Sequence, residues 1–578
     1  MASNDHRVSA FARAKHRPSP LGLSQIRIGG ELLKRASRNF DRLEEANYHP
    51  ANVFQEAGYS WPGDMEGRTI LALTLLAQAT GREPQHLNAI LDGLGQHCNA
   101  RGYMGRILEL GLFDEQQLSG HSWLLRGLCE HYLWTGSTAD LERIETITNN
   151  LLLPLRGGYA AYPARPEDRK QSGEAIGSLD TDPSGNWYSS TDIGCAFITL
   201  DGATQVYQIT RNPQLGELIE EMIAAYLSLD FVGLSCQTHA TLSGLRGLLR
   251  YCEQTKSQEL LSEAERIWAL YQNEGMTENH ANYNWFGRPH WTEPCAIVDS
   301  LLVAMILWRL TGDPQRITEA HDIYYSALGH AQRPNGGFGC DTCVGSDELV
   351  LSSASDGLFE AWWCCTMRGA EGLARAVESL AYVCDDSILL PFYCDAEFDL
   401  LRADGKTTLA VATDYPYSGR VTVTVRSAPG NGCQRLGLFL PGWVNGDTVR
   451  LTVKDEAQPI EVIDGFVHAD LPLEKDMRLE LQFDIGLRTV GMQNRHSRED
   501  CFTLRHGPLV LGASTTGKTH VLAPDTAFEP SGNRGSYTNA QQDLSLKPVN
   551  DMLDLPDNIA RSIRRQVCFS DPTATKAT

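Results

Sequence analysis

No stretch of this sequence approaches the roughly twenty consecutive apolar residues that a membrane-spanning helix requires, and the residues before Arg38 lack the apolar core of a secretory signal. Positive charge is scarce as well: 50 Lys and Arg stand against 72 Asp and Glu, a net charge of −22. A surface of that sign does not neutralise phosphate, which argues against nucleic acid or an anionic membrane as partner. A disulfide pattern is also missing. The 15 cysteines are an odd number spread over 578 residues, two of them adjacent, and such a set suits a reducing compartment with free or metal-bound thiols. The expectation is a soluble cytoplasmic protein. A mitochondrial transit peptide is the weaker alternative: Arg7, Arg13, Lys15 and Arg17 are followed by no acid before Glu31, but Ile26-Arg27-Ile28 and Leu32-Leu33 already read as folded chain.

The length predicts more than one core, or a repeat-built domain with an appendage. From Gly63 to about Cys384 the apolar spacing is helical, and several helices run into a threonine stop: Thr80-Gly81, Thr135-Gly136, Thr210, Thr255 and Thr311-Gly312. The stops lie 45 to 75 residues apart, room for a pair of helices with loops. Such hairpins bury their faces only by stacking on one another, as an open solenoid or a closed toroid. Stepping back one helix from each stop reaches Glu66, His121, Asp192, His239 and Cys295, and a similar step from Cys384 reaches Cys364 and Cys365. In a closed ring with aligned inner helices these residues would rise at one mouth; taken singly, each also reads as a cap or a satisfied core residue.

After Leu390 the period changes to two, as in Val421-Thr422-Val423-Thr424-Val425 and Leu479-Glu480-Leu481, with turns such as Pro429-Gly430-Asn431-Gly432 between the runs. This predicts a β-sandwich. The expected division is an extension over residues 1–25, a helical toroid over 26–390, a sandwich over 391–515 and a loosely packed tail over 516–578, with one helix near residues 557–565.

The chemistry gathers in two places. Glu293-Pro294-Cys295 sets a carboxylate and a thiol two positions apart, and Trp362-Trp363-Cys364-Cys365 supplies two more thiols. One carboxylate and three thiols can hold a zinc ion (Zn2+), either as a structural site or with one thiolate left to attack a substrate. Cys340-Asp341-Thr342-Cys343 has the spacing of half a zinc ribbon and would make a rival site of four cysteines with Cys364 and Cys365. Spacing alone leaves these two arrangements equal. Glu278, fifteen residues before Glu293, is a second carboxylate, which reads either as a solvated loop residue or as the acid/base partner of a thiolate nucleophile. Between them the loop Asn282-Tyr283-Asn284-Trp285-Phe286 is aromatic and polar, a surface on which a sugar ring could stack; Trp363 is a second such aromatic.

These residues, with Gly63-Asp64-Met65-Glu66-Gly67-Arg68, Gly120-His121, His239-Ala240, Leu440-Pro441-Gly442-Trp443 and Gly507-Pro508-Leu509-Val510, resemble glycoside hydrolase family 127, the β-L-arabinofuranosidases and their relatives. The resemblance runs from about Ile26 to Gly512 and implies an (α/α)6 toroid followed by β-sandwich elements. It implies a zinc held by Glu293, Cys295, Cys364 and Cys365, with Cys364 as nucleophile, Glu278 as general acid/base, and His121 and His239 hydrogen-bonded to the sugar. It puts Cys340 and Cys343 outside the metal site. Two departures lie beside the implied sugar site. Ser189-Ser190-Thr191-Asp192-Ile193-Gly194-Cys195 carries no histidine where the family has one, and Thr366-Met367-Arg368-Gly369 replaces the Pro-Pro-Asn of the arabinofuranosidases. The expected function is a retaining, zinc-dependent glycosidase acting on a small-molecule glycoside, with a homodimer left open. The alternatives are lyase, isomerase or cyclase chemistry on the same scaffold, or a non-catalytic zinc-stabilised carbohydrate-binding protein.

Overall fold

The computed structural model describes residues 17–54, 61–169, 177–402, 405–430, 432–532 and 534–572. Its helices alternate between an outer and an inner layer. They are α1 (Gly30–Leu43, outer), α2 (Asp64–Thr80, inner), α3 (Leu87–Gly93, outer), α4 (Glu115–Thr135, inner), α5 (Thr138–Ile147, outer) and α6 (Thr199–Thr210, inner). They continue as α7 (Pro213–Leu227, outer), α8 (Thr238–Thr255, inner), α9 (Gln258–Glu274, outer), α10 (Pro294–Thr311, inner), α11 (Gln315–Asp322, outer) and α12 (Cys365–Glu378, inner). Each inner helix packs on the next, and α12 returns to pack on α2, so the six close into an (α/α)6 toroid.

Composition explains the two layers. In α7 the buried residues Leu215, Leu218, Ile219, Met222 and Tyr226 recur at three- and four-residue steps, one apolar stripe on an otherwise wet helix. In α2 nearly every residue from Asp64 to Ala77 is buried, as an inner helix walled on all sides requires. Among the described residues α10 alone has the length and apolarity of a membrane span, with mean hydropathy 1.6, and it is the inner wall of the ring, 83% buried.

All five threonine stops end an inner helix. In each, the threonine hydroxyl donates to the carbonyl four residues back, Thr80 to Leu76, Thr135 to His131, Thr210 to Val206, Thr255 to Tyr251 and Thr311 to Leu307. The next residue turns left-handed, glycine at 81, 136 and 312, but Arg211 and Lys256 in the other two.

The inner helices approach through glycine. A Cβ on Gly67 of α2 would lie 2.1 Å from the Leu124 backbone nitrogen of α4, and one on Gly247 of α8 would lie 2.6 Å from the Leu200 carbonyl carbon of α6. Backbone cannot yield as a side-chain tip does. Gly67→Ala is therefore expected to destabilise the toroid by about 1–3 kcal/mol, read as a lower urea midpoint at unchanged slope; an unaltered midpoint would show that the helices have room to part.

Among the described residues, three sheets lie beyond the ring. Sequence alternation locates their central strands, but the boundaries differ from expectation at both ends. Ser19–Pro20 pairs with Tyr382–Cys384, and Ile26–Ile28 pairs antiparallel with Ala396–Arg402 as the edge of a seven-stranded sheet, so residues 19–28 belong to the β region. Residues 529–570, expected within a loosely packed tail, supply strands to a nine-stranded sheet whose core includes Leu544, Leu546 and Phe569. Their polar composition reflects strand alternation: Leu544–Pro548 buries every second residue. The helix expected near residues 557–565 is Asp557–Ser562. The basic residues read as a transit peptide lie, apart from Arg17, outside the described residues.

Candidate metal centre

Glu293 is the N-cap of α10 and Cys295 its second residue; Cys364 is the N-cap of α12 and Cys365 its first residue. All four side chains thus stand at two helix N-termini, where the positive end of the helix field favours anions. One ligand atom from each residue lies within 4.8 Å of the others. Cys295 Sγ is 3.8 Å from Cys365 Sγ, and Cys365 Sγ is 3.3 Å from Cys364 Sγ. Two thiolates on one tetrahedral zinc, each about 2.3 Å from it, stand about 3.8 Å apart.

The cluster holds its protons tightly. Burial, followed by repulsion from Asp192, pushes the Glu293 carboxyl up to about 8. Burial and the neighbouring thiols drive Cys295 and Cys365 well above the ordinary thiol range. A divalent cation is the counter-charge that would release all these protons together. The donor set and its spacing fit a metal ion.

Supporting groups orient the ligands. Gln237 donates to Glu293 Oε2 at 3.3 Å, and the Asn284 amide, turned so that both its ends are satisfied, donates to the same oxygen while accepting from Trp291 Nε1 at 3.0 Å. Glu293 N–H donates to Asn282 Oδ1 at 3.0 Å. Arg68 of α2 reaches across the ring mouth to Cys295 Sγ at 3.6 Å, is paired with Asp64, and lies 4.1 Å above the Trp123 ring. Trp123 in turn stacks on His239, ring centroids 5.7 Å apart.

The other expected site residues divide. His239, second residue of α8, gives Nδ1 to Asp299 at 2.6 Å and keeps a buried Nε2 without a partner; burial lowers it to about 4, so it is a neutral imidazole. Asp192 is buried, its Oδ1 has no partner, and burial together with Glu115 raises it to about 7. Glu66 is buried in the first turn of α2. His121 differs from expectation: Nδ1 lies 2.7 Å from Gln117 O and Nε2 takes the Met104 N–H at 3.0 Å, so both ring nitrogens are spent inside the protein and none remains for a sugar. Glu278 is buried away from the loop surface, its Oε1 accepting from Gln493 N, Asn494 N and Ser497 Oγ of the β region at 2.9, 2.8 and 2.6 Å, while Oε2 has no partner. Trp285 is buried against Trp291, and Trp363 is exposed and edge-on to Trp362. Cys343 Sγ turns to Asn282 O at 3.5 Å and takes no part in the cluster.

Beneath the mouth lies a buried charge network that pattern reading missed. Arg126 bonds Glu371 at 2.6 Å and Asp201 at 3.1 Å; Arg246 bonds Asp201, Asp299 and Glu371 at 3.1, 2.5 and 3.0 Å; Arg368 bonds Asp299 at 2.5 Å and also Glu371. Each of these side chains is at most 2% exposed. The arginines hold Asp299 well below the carboxylate range, and Asp299 holds His239. The available signal was charge on helices otherwise too apolar to face water.

No protein-family model matches the sequence, and no curated protein matches it either. Solved structures do. A family 127 β-arabinofuranosidase superposes with a TM-score of 0.70 at 13% identity, over 96% of this chain and 98% of that one. A structure described as a glycoside hydrolase gives 0.69 at 14% identity, over 97% and 98%. A family 127 β-L-arabinofuranosidase from Geobacillus stearothermophilus T6 gives 0.67 at 13%, over 94% and 100%. Toroid and sheets together therefore have the fold of these proteins.

Proposed function

We propose that this protein is a zinc-dependent retaining glycoside hydrolase acting on a β-L-arabinofuranoside or a related small glycoside. The observation that carries the reading is the cluster of Glu293, Cys295, Cys364 and Cys365 at the mouth of a toroid shared with β-L-arabinofuranosidases. Zinc, when bound, makes the Cys364 sulfur a thiolate at neutral pH and a competent leaving group afterwards. Cys364 attacks the anomeric carbon, forming an S–C bond as the bond to the leaving oxygen breaks. Glu278 gives that oxygen its proton through Oε2, then takes a proton from the water that displaces the sulfur. His239 Nε2 and Asp192 Oδ1, buried and unpartnered beside the cluster, hydrogen-bond the sugar.

The test is metal content and hydrolysis of a panel of aryl glycosides. Wild-type protein is expected to carry one zinc, the Glu293→Ala and Cys365→Ala variants to lose it, and Cys343→Ala to keep it. Loss on replacing Cys343 with retention on replacing Glu293 would sink the mixed site. His239→Ala is expected to lower kcat/KM by about 10²-fold; an unchanged value would remove His239 from the sugar site.

One observation favours a second reading. His121 has no free nitrogen and the Asp192 arm brings a carboxyl in place of a histidine, which suits lyase, isomerase or cyclase chemistry on a small metabolite. Zinc-loaded protein inert on every aryl glycoside would move the assignment there.

A further inference from the structure

A second cavity lies where the toroid meets the seven-stranded sheet. It encloses about 120 Å³ between the start of α1, the end of α12 and the turn after strand Gly405–Thr413. Ala376 in its wall stands about 16 Å from Cys365 along α12, so the cavity is remote from the metal centre. Its buried side is apolar and aromatic: Leu32, Leu380 and Phe392 lie there with Tyr324 and Tyr325, whose rings meet edge to face at 4.9 Å. Two polar groups of the wall are unanswered. The Tyr324 hydroxyl has no hydrogen-bond partner among the described residues although the residue is only 8% exposed, and its oxygen is not sealed off. Asp395, half-buried, accepts from Thr413 N–H at 2.9 Å through Oδ1 and has no ion-pair partner among the described residues. The neighbouring carboxylates do have one, Glu31 in Arg35 at 2.8 Å and Asp414 in Arg534 at 3.4 Å. The field at the start of α1, worth roughly half a positive charge, offsets Asp395 only in part. At the rim a cation already rests on an aromatic face, the Arg534 guanidinium 4.4 Å from the centre of the Tyr417 ring.

We propose that this cavity binds a small organic ammonium ion, its charged head on Asp395 and the Tyr324 hydroxyl and its carbon body among the aromatic rings. An ammonium head carries donors only, and the carboxylate and the hydroxyl oxygen are the acceptors it needs. The tyrosine faces add cation–π attraction. A cavity of roughly 150 Å³ holds benzene, so this smaller one takes a body of about four or five carbons. A carboxylate ligand would have to sit against Asp395, and a neutral alcohol would leave that charge unmatched. Because the walls come from both ring and sheet, an occupant stabilises their junction by mass action.

Isothermal titration of the full chain with n-butylammonium, 1-butanol and butyrate, on wild type, Asp395→Asn and Tyr324→Phe, tests this. Asparagine keeps an acceptor for Thr413 N–H and phenylalanine keeps the ring, so each variant removes one recognition group and leaves the wall in place. Wild type is expected to bind butylammonium about tenfold or more tighter than butanol, and to melt at a higher temperature in its presence. Asp395→Asn is expected to weaken butylammonium about tenfold or more and Tyr324→Phe about threefold. Equal affinity for butanol overturns the charge recognition, and tighter binding of butyrate shows that the α1 terminus and Arg534 prevail. No binding of any of the three, or butylammonium affinity unchanged in either variant, overturns the site.

Discussion

Cys364→Ala is expected to lower kcat by about 10⁴-fold or more while leaving the fold intact. Of the three clustered thiols, Cys295 and Cys365 are 0% and 1% exposed, whereas Cys364 is only half-buried. Among these thiols Cys364 therefore belongs to the most exposed residue. Cys364 is also the N-cap of α12, where the helix field favours a thiolate. Steady-state hydrolysis of whichever aryl glycoside the wild type accepts gives the rate. Alkylation by iodoacetamide at a single residue, located by peptide mapping, gives the reachable thiol. A variant within tenfold of wild type would mean that Cys364 only ligates, and the nucleophile would have to be sought among the carboxylates.

Glu371→Ala is expected to cost about 3–5 kcal/mol of stability, the largest effect of any substitution remote from the mouth. Glu371 is the shared partner of Arg126, Arg246 and Arg368, all buried, and its removal strands positive charge at the centre of the toroid. The urea midpoint and melting temperature measure the loss. A change below about 1 kcal/mol would mean that water enters and solvates the arginines. The network also has a pH signature. The arginines hold Asp201 and Asp299 below the usual carboxylate range once burial is overcome. The stabilisation is thus present above the unfolded carboxylate value and is lost only as pH falls through the lower folded value. Asp299→Asn removes one such titrating group, so it should lower stability at neutral pH and make the fall of stability in acid less steep, as well as freeing His239 to turn.

The fold was legible to different depths. The threonine stops located every inner helix but α12 because the signal is local: one hydroxyl closes one carbonyl and the next residue turns left-handed. The gathering of Glu293, Cys295, Cys364 and Cys365 followed from resemblance and is seen in the structure, while spacing alone left Cys340 and Cys343 as equal rivals. His121 and Glu278 show the limit. Both stand at plausible positions in the chain, but what each can do depends on Met104 and on Gln493 to Ser497, partners that no periodicity predicts. The central ion network was hidden for the same reason, since its members come from α4, α6, α8, α10 and α12 and pair only after the ring closes.

The pairing of Ser19–Pro20 with Tyr382–Cys384 and of Ile26–Ile28 with Ala396–Arg402 bears on how the chain is made. During synthesis these early strands emerge long before their partners and must wait, unpaired, while the ring is translated and assembled between them. Their separation places one of the slowest contacts of the molecule at the start of the chain, and an unpaired strand is the element most prone to join a neighbouring chain. Loss of residues 19–28 would thus injure two sheets whose other strands are made more than 350 residues later, and a fragment ending at residue 390 would leave Ile26–Ile28 without its partner strand.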